Sequence, residues 1–131
     1  MIFELNPTIK CGEFNFYAER ANVRLHLGKF KTFVKSKTSE NSTDDFGFCH
    51  TYYDVSDCLI AIEFFPEADL LYDGIALFKQ KPDKLTDILK LKDTAVYADD
   101  YSIMSKKLGI CAEIGDGQVK SILVCTDNYY D

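Results

Sequence analysis

Histidine is scarce in this chain of 131 residues: there are only two, His26 and His50, and neither stands in a spacing with cysteines or carboxylates that zinc requires. The chain has no Gly-rich phosphate loop, no nucleophile elbow and no H-E-x-x-H, so the commonest hydrolytic and nucleotide-cleaving signatures are excluded. It contains no C-x-x-C; its five cysteines, Cys11, Cys49, Cys58, Cys111 and Cys125, are odd in number and widely spaced. No apolar run approaches the length of a membrane span. The start, "MIFELNPTIK", lacks the basic, apolar and small-residue regions of a signal peptide. A cytoplasmic protein with reduced thiols is therefore expected. Positive charge is also short. The net charge of −6 disfavours binding to phosphate backbones and suits a basic partner. Repeats and interdomain linkers are absent.

What is present is a globular composition, 47% hydrophobic and 27% charged, with a heavy aromatic load of ten Phe and eight Tyr and no Trp. The length suits one domain able to bury a core without staples. The segment "LGICAEIGDGQVKSILVC" holds the clearest local signal. Asp116-Gly117 lies between two apolar runs and predicts a hairpin. The implied register sets Ile114 against Val119, Ala112 against Ser121, Ile110 against Leu123 and Leu108 against Cys125. It also pairs Glu113 with Lys120 on the other face. "KPDKLTDILKLK" predicts a helix over 82–91. Pro82 opens it, Asp83 and Asp87 come early, Lys90 and Lys92 come late, and Leu85, Ile88 and Leu89 form the buried stripe.

Residues 17–27 are two-sided. Phe16, Val23 and Leu27 fit a helical stripe ended by Gly28, while Val23, Leu25 and Leu27 fit strand alternation; the helix is the preferred reading. "KFKTFVKS" predicts a strand over 29–35. The polar stretch "KSKTSENSTDD", 35–45, predicts a surface loop. Further strands are expected at 46–53, 58–65, 70–78, 102–114 and 118–126. Together these predict an α+β single domain, mainly antiparallel sheet, with one or two short helices on one face.

"FCHTYYDVSDCLIAIEF" concentrates reactive residue types, yet pleat parity separates them. Opposing Tyr53 to Cys58 puts Cys49, Thr51, Tyr53, Cys58, Ile60, Ile62 and Phe64 on one face. Phe48, His50, Tyr52, Leu59, Ala61 and Glu63 fall on the other. Cys49 and His50 then point apart and cannot form a thiol–imidazole pair. Cys49 faces Ile62 and lies too far from Cys58 for a disulfide, so both cysteines read as small core residues. His50 falls diagonal to Glu63. No cofactor and no metal site is expected.

The order "FNF", "VRLHLG", a polar loop ending "DDF", "YYD", "AIEFFPEA", "YDGIALF", a short helix, "LGICAEI" and "VKSILVCTDNYYD" spans residues 14–131. In that order the chain resembles small bacterial proteins found beside secreted polymorphic or contact-dependent growth-inhibition toxins and regarded as their immunity partners. The resemblance implies an α+β fold, no catalysis, and a cytoplasmic protein that binds and blocks one toxin domain. It assigns no contact residue. Such toxins are frequently nucleases with basic clefts, which an acidic, Tyr-rich surface would fit. The candidates are Tyr52, Asp54 and Asp57; Tyr72 and Asp73; Tyr97, Asp99, Asp100 and Tyr101; and Tyr129, Tyr130 and Asp131. Two competing readings are a small-molecule binder or minor enzyme with an aromatic pocket between helix and sheet, and an assembly subunit that uses a sheet edge.

Overall fold

The alternating runs fold into strands that build two sheets around one core. A computed structural model describes residues 1–130, so Asp131 lies outside the described residues. In chain order the elements are β1 (Ile2–Asn6), β2 (Lys10–Cys11), β3 (Phe14–Asn15), α1 (Arg20–Leu27), β4 (Lys31–Phe33), β5 (Thr43–Asp45) and β6 (Cys49–Tyr53). There follow β7 (Leu59–Phe64), β8 (Asp69–Tyr72), β9 (Ile75–Ala76), a single 3-10 turn (Leu77–Lys79) and α2 (Pro82–Lys90). The chain ends with β10 (Tyr97–Ala98), β11 (Ser102–Ser105), β12 (Ile110–Gly115) and β13 (Gln118–Cys125). The molecule is an α+β domain whose larger sheet has eight strands, ordered β10-β11-β12-β13-β7-β6-β5-β4. Every pair in that sheet is antiparallel.

The second sheet was not foreseen. Its five strands run β3-β2-β1-β8-β9, and β1 pairs with β8 in parallel, Phe3 beside Leu70. Nothing local announces a pairing between residues so distant in sequence. What holds it is burial: Phe3 and Leu5 alternate inward along β1, and the Phe3 ring lies 4.9 Å from Phe64 and 5.7 Å from Phe48. That contact joins the sheets. The main core also takes Val23 and Leu27 from α1, Leu85 and Leu89 from α2, and Ile110, Ile122 and Val124 from the larger sheet. The space between helices and sheet is thus filled by packed side chains.

Several expected boundaries and registers are corrected. The first helix begins at Arg20 rather than residue 17, because Tyr17 takes a positive φ of 71° that no helix accepts. The expected strand 29–35 shrinks to β4; the expected strand 70–78 breaks at Asp73-Gly74; and 102–114 breaks at the turn before Gly109. The polar stretch 35–45 is a surface loop only in its first part, since Thr43 and Asp44 are buried in β5.

Both hairpins keep their turns and change register through a bulge. In β12–β13 Ile114 does face Val119, but Lys120 is then skipped. Glu113 faces Ser121, Ala112 faces Ile122 and Ile110 faces Val124, so the Glu113–Lys120 pair does not form across the strands. In β6–β7 the pairs are Cys49–Phe64, His50–Glu63, Thr51–Ile62, Tyr52–Ala61 and Tyr53–Leu59, with Ile60 as the extra residue. The bulge exchanges the places of two apolar residues. Leu59 enters the main core, while Ile60 turns to the outer face beside Tyr52 and Ala61. Cys49 is a core residue as expected, whereas Cys58 is only half-buried.

Candidate functional site

Two regions of the larger sheet carry concentrated polar chemistry: its outer face, and the edge at β10. The candidate residues inferred from sequence are divided among these and other places rather than gathered.

On the outer face, register sets Met104, Cys111, Leu123, Glu63, His50, Asp45 and Lys31 in one row across seven strands. The second row runs Cys125, Ala61, Tyr52, Thr43 and Phe33. His50 therefore faces Glu63 directly, not diagonally. Its Nδ1 is 3.7 Å from Glu63 Oε1 and its Nε2 is 3.4 Å from Asp45 Oδ1. Phe33 and Phe65 hold the ring edge-on from two sides, at 5.2 and 4.9 Å. The Tyr52 hydroxyl donates to Glu63 Oε1 at 3.0 Å, and Lys35 Nζ donates to the Tyr52 oxygen at 3.2 Å. Burial first, then the Glu63 charge and hydrogen bond, push the Tyr52 phenol well above its ordinary range.

The result is a chain, Lys35–Tyr52–Glu63–His50–Asp45, in which hydrogen bonds join the first three groups and the imidazole lies between two carboxylates at ion-pair distance. Both imidazole nitrogens face carboxylates. The thiol of Cys111 shares the row but lies three strand spacings from His50, roughly 14 Å, beyond any nucleophile–base contact. Tyr129 and Tyr130, rings 5.2 Å apart, fold back over Tyr52, Ala61 and Cys125 and cover this part of the face.

Sequence reasoning missed the inner counterpart. Asp44 is 0% exposed and accepts from Arg20 at 2.8 and 3.2 Å, from Arg24 at 2.7 and 2.9 Å and from Thr32 at 3.0 Å. Burial alone would raise this carboxyl; the hydrogen bonds from Arg24, Arg20 and Thr32 outweigh it and hold the group well below the usual range. Arg20 also reaches Asp57 at 3.2 Å and lies 4.4 Å above the Tyr53 ring. A signal was available: Arg20 and Arg24 are four residues apart, so a helix stacks both guanidinium groups on one face, where a buried carboxylate is needed. The network anchors α1 to β5.

The other candidates separate by role. Asp54 accepts the Ser56 and Cys58 N–H groups and closes the β6–β7 turn. Asp57, at φ 60°, completes that turn and is bound by Asn41 and Arg20. Tyr72 is buried in the core and is removed as a contact candidate, and so is Tyr52. Asp73, at φ 50°, makes the β8–β9 turn and is exposed.

Among the described candidate residues, those of the stretch 97–101 gather at the surface. β10 is an edge strand, and Tyr97 and Tyr101 are 58% and 77% exposed. Asp99 fixes the tip by accepting the Tyr101 and Ser102 N–H groups at 2.8 Å, and the Tyr97 hydroxyl donates to it at 2.8 Å. Those bonds hold the Asp99 carboxyl below its ordinary value. Asp99 and Asp100 then meet Asp83 from the start of α2 in a groove of about 440 Å³ that also touches Lys81, Ile114 and Gly117. The arrangement presents three carboxylates and two exposed phenols at and beside an edge strand whose outer side is free.

No group of His, Cys, Asp and Glu able to hold a metal ion occurs among the described residues. No helix among them is long and apolar enough to cross a membrane. Comparison of the chain with protein-family models, with curated proteins and with solved structures found no match.

Proposed function

We propose that this protein is a binding module that neutralises a basic bacterial toxin domain through the β10 edge. The observation that carries the reading is the groove where Asp83, Asp99 and Asp100 converge beside the exposed Tyr97 and Tyr101. Carboxylates there imitate the phosphates a nuclease cleft is built to hold, and they steer the encounter. Tyrosines provide contact area at little entropic cost, because each has two side-chain torsions to fix. On the outer face the thiol of Cys111 and the imidazole of His50 stand three strands apart, which favours a scaffold role for these groups over catalysis. The opposed reading, a minor enzyme, would need a free base or nucleophile in a cleft.

The test is a search of the neighbouring genes for a basic toxin domain, followed by measurement of association with that domain at two salt concentrations. Asp100→Lys and Tyr101→Ala change exposed side chains and leave the core intact. Tyr101→Ala should weaken binding by about 2 kcal/mol, roughly thirtyfold, if it is a hot spot, and Asp100→Lys should weaken it and flatten its salt dependence. Tight binding indifferent to salt and to both substitutions would discard this surface. Failure of the protein to protect cells expressing that toxin domain would discard the function.

A further inference from the structure

A groove larger than the acidic one lies at the opposite edge of the sheet, and its chemistry is of another kind. It is a shallow, open groove of about 840 Å³ where the end of α1, the strand β4 and the β5–β6 turn meet, and is lined by Gly28, Lys29, Phe30, Lys31, Asp45, Phe46 and Gly47. Although the protein is acidic overall, residues 20–39 contain six Arg and Lys and no Asp or Glu. The folded chain divides these cations. Arg20 and Arg24 turn inward to Asp44, and Lys35 bonds Tyr52. Lys29 and Lys31 are left exposed in the groove wall, without a carboxylate in ion-pair range among the described residues.

Between those lysines lies an aromatic surface. The rings of Phe30 and Phe46 are 5.8 Å apart and tilted by 52°. Arg24 sits 4.2 Å over one face of Phe30, yet this residue remains 41% exposed. Gly28 and Gly47 have positive φ, and nothing lies within 4 Å of where a Cβ would stand, so the floor beside the rings is open. Asp45 adds one acceptor. Its Oδ1 takes the Gly47 N–H at 2.7 Å and faces His50, while Oδ2 has no hydrogen-bond partner among the described residues.

We propose that this groove binds a nucleoside phosphate. A planar base would pack on Phe30 and Phe46, a sugar hydroxyl would donate to Asp45 Oδ2, and the phosphate would take its charge complement from Lys29 and Lys31. A purely apolar ligand would leave two ammonium groups unused, and a simple anion would leave the rings unused. The site is independent of the acidic groove, which lies at the far edge of the sheet. The ligand's source is either a free mononucleotide or the phosphorylated end of a single strand.

The experiment is amide NMR titration of the full chain with AMP, adenosine, inorganic phosphate and a 5′-phosphorylated oligo(dA). AMP should shift amides of residues 28–31 and 45–47. The double variant Lys29→Ala/Lys31→Ala should lower AMP affinity by roughly tenfold or more, as expected for losing two charge-assisted contacts, and leave adenosine unchanged. Phe30→Ala should weaken both. Tighter binding of the oligonucleotide at the same amides assigns a strand end, and equal or weaker binding assigns the free nucleotide. Unmoved amides at millimolar AMP overturn the proposal. So does a response that inorganic phosphate reproduces in full and Phe30→Ala leaves intact. Unchanged amide spectra away from the groove verify that each variant is folded.

Discussion

Asp44 shows how one residue links fold to solution behaviour. Its carboxylate has lost all contact with water and is held by two guanidinium groups and a hydroxyl. Replacing it by alanine removes the acceptor of Arg24, which is partly exposed, and leaves Arg20 only Asn41, Ser42 and Asp57, so the loss should fall at the low end of the about 3–5 kcal/mol that a broken buried pair costs. Urea unfolding of Asp44→Ala should register that loss. The pH dependence follows from the direction of the shift. The folded carboxyl lies below its ordinary range, so as pH falls the unfolded chain takes up the proton first, near its reference value of about 3.9. The stability contributed by Asp44 is complete above that value and drains away as pH falls from it towards the folded one. Wild-type stability should therefore decline between about pH 5 and pH 2, and the decline should be shallower in Asp44→Asn. An equally steep acid slope in that variant would place the acid-labile group elsewhere.

At the scale of elements, turns decide which strands can pair. Gly109 ends the β11–β12 turn at φ 61°, and a Cβ there would stand 2.6 Å from the backbone oxygen of Cys125. The same close approach lets Cys125 N donate to Gly109 O at 2.9 Å, tying the turn to the end of β13. Gly117, in the β12–β13 turn, has φ 72° and open space around it. Gly117→Ala meets only the backbone penalty of about 1–2 kcal/mol. Gly109→Ala meets that penalty and a backbone collision, so its thermal midpoint should fall clearly further. Equal midpoints for the two variants would show that the approach of Gly109 to Cys125 is relaxed in solution. The bulges at Ile60 and Lys120 belong to this scale as well: each lets a turn set by local chemistry join a strand whose inward face is dictated by the core.

Across the whole molecule, thiols report how far burial extends. All five cysteines are free; Cys11, Cys49 and Cys125 are buried, while Cys58 and Cys111 are half-buried. Burial pushes Cys11 and Cys125 to about 12, and it pushes Cys49 higher than the usual thiol range. A thiolate-directed reagent under native conditions should leave these three untouched until the protein unfolds. Cys58, at the β6–β7 turn, and Cys111, on the outer face, should supply the native reaction, and Cys58→Ser should remove its fastest phase. Rapid native labelling of Cys49 would contradict its burial in the main core. Charge is also laid out across the molecule, with carboxylates at the β10 edge and free lysines at the β4 edge, a separation that a net charge of −6 conceals.

Local chemistry was enough to specify several parts of this protein. Asp116-Gly117 can turn only as a hairpin, Pro82 with its flanking charges starts a helix, and alternation sends Cys49 and His50 to opposite faces. Tertiary structure decided what depends on distant partners. The pairing of β1 with β8 rests on Phe3 meeting Phe64. The burial of Asp44 rests on arginines 20 and 24 residues away, and the places of Leu59 and Ile60 rest on a bulge. In each of these cases the segment's own pattern admits two arrangements of similar local energy. The choice falls to whichever one buries apolar surface and satisfies every polar group it encloses, and that is settled only when the remote elements are in place.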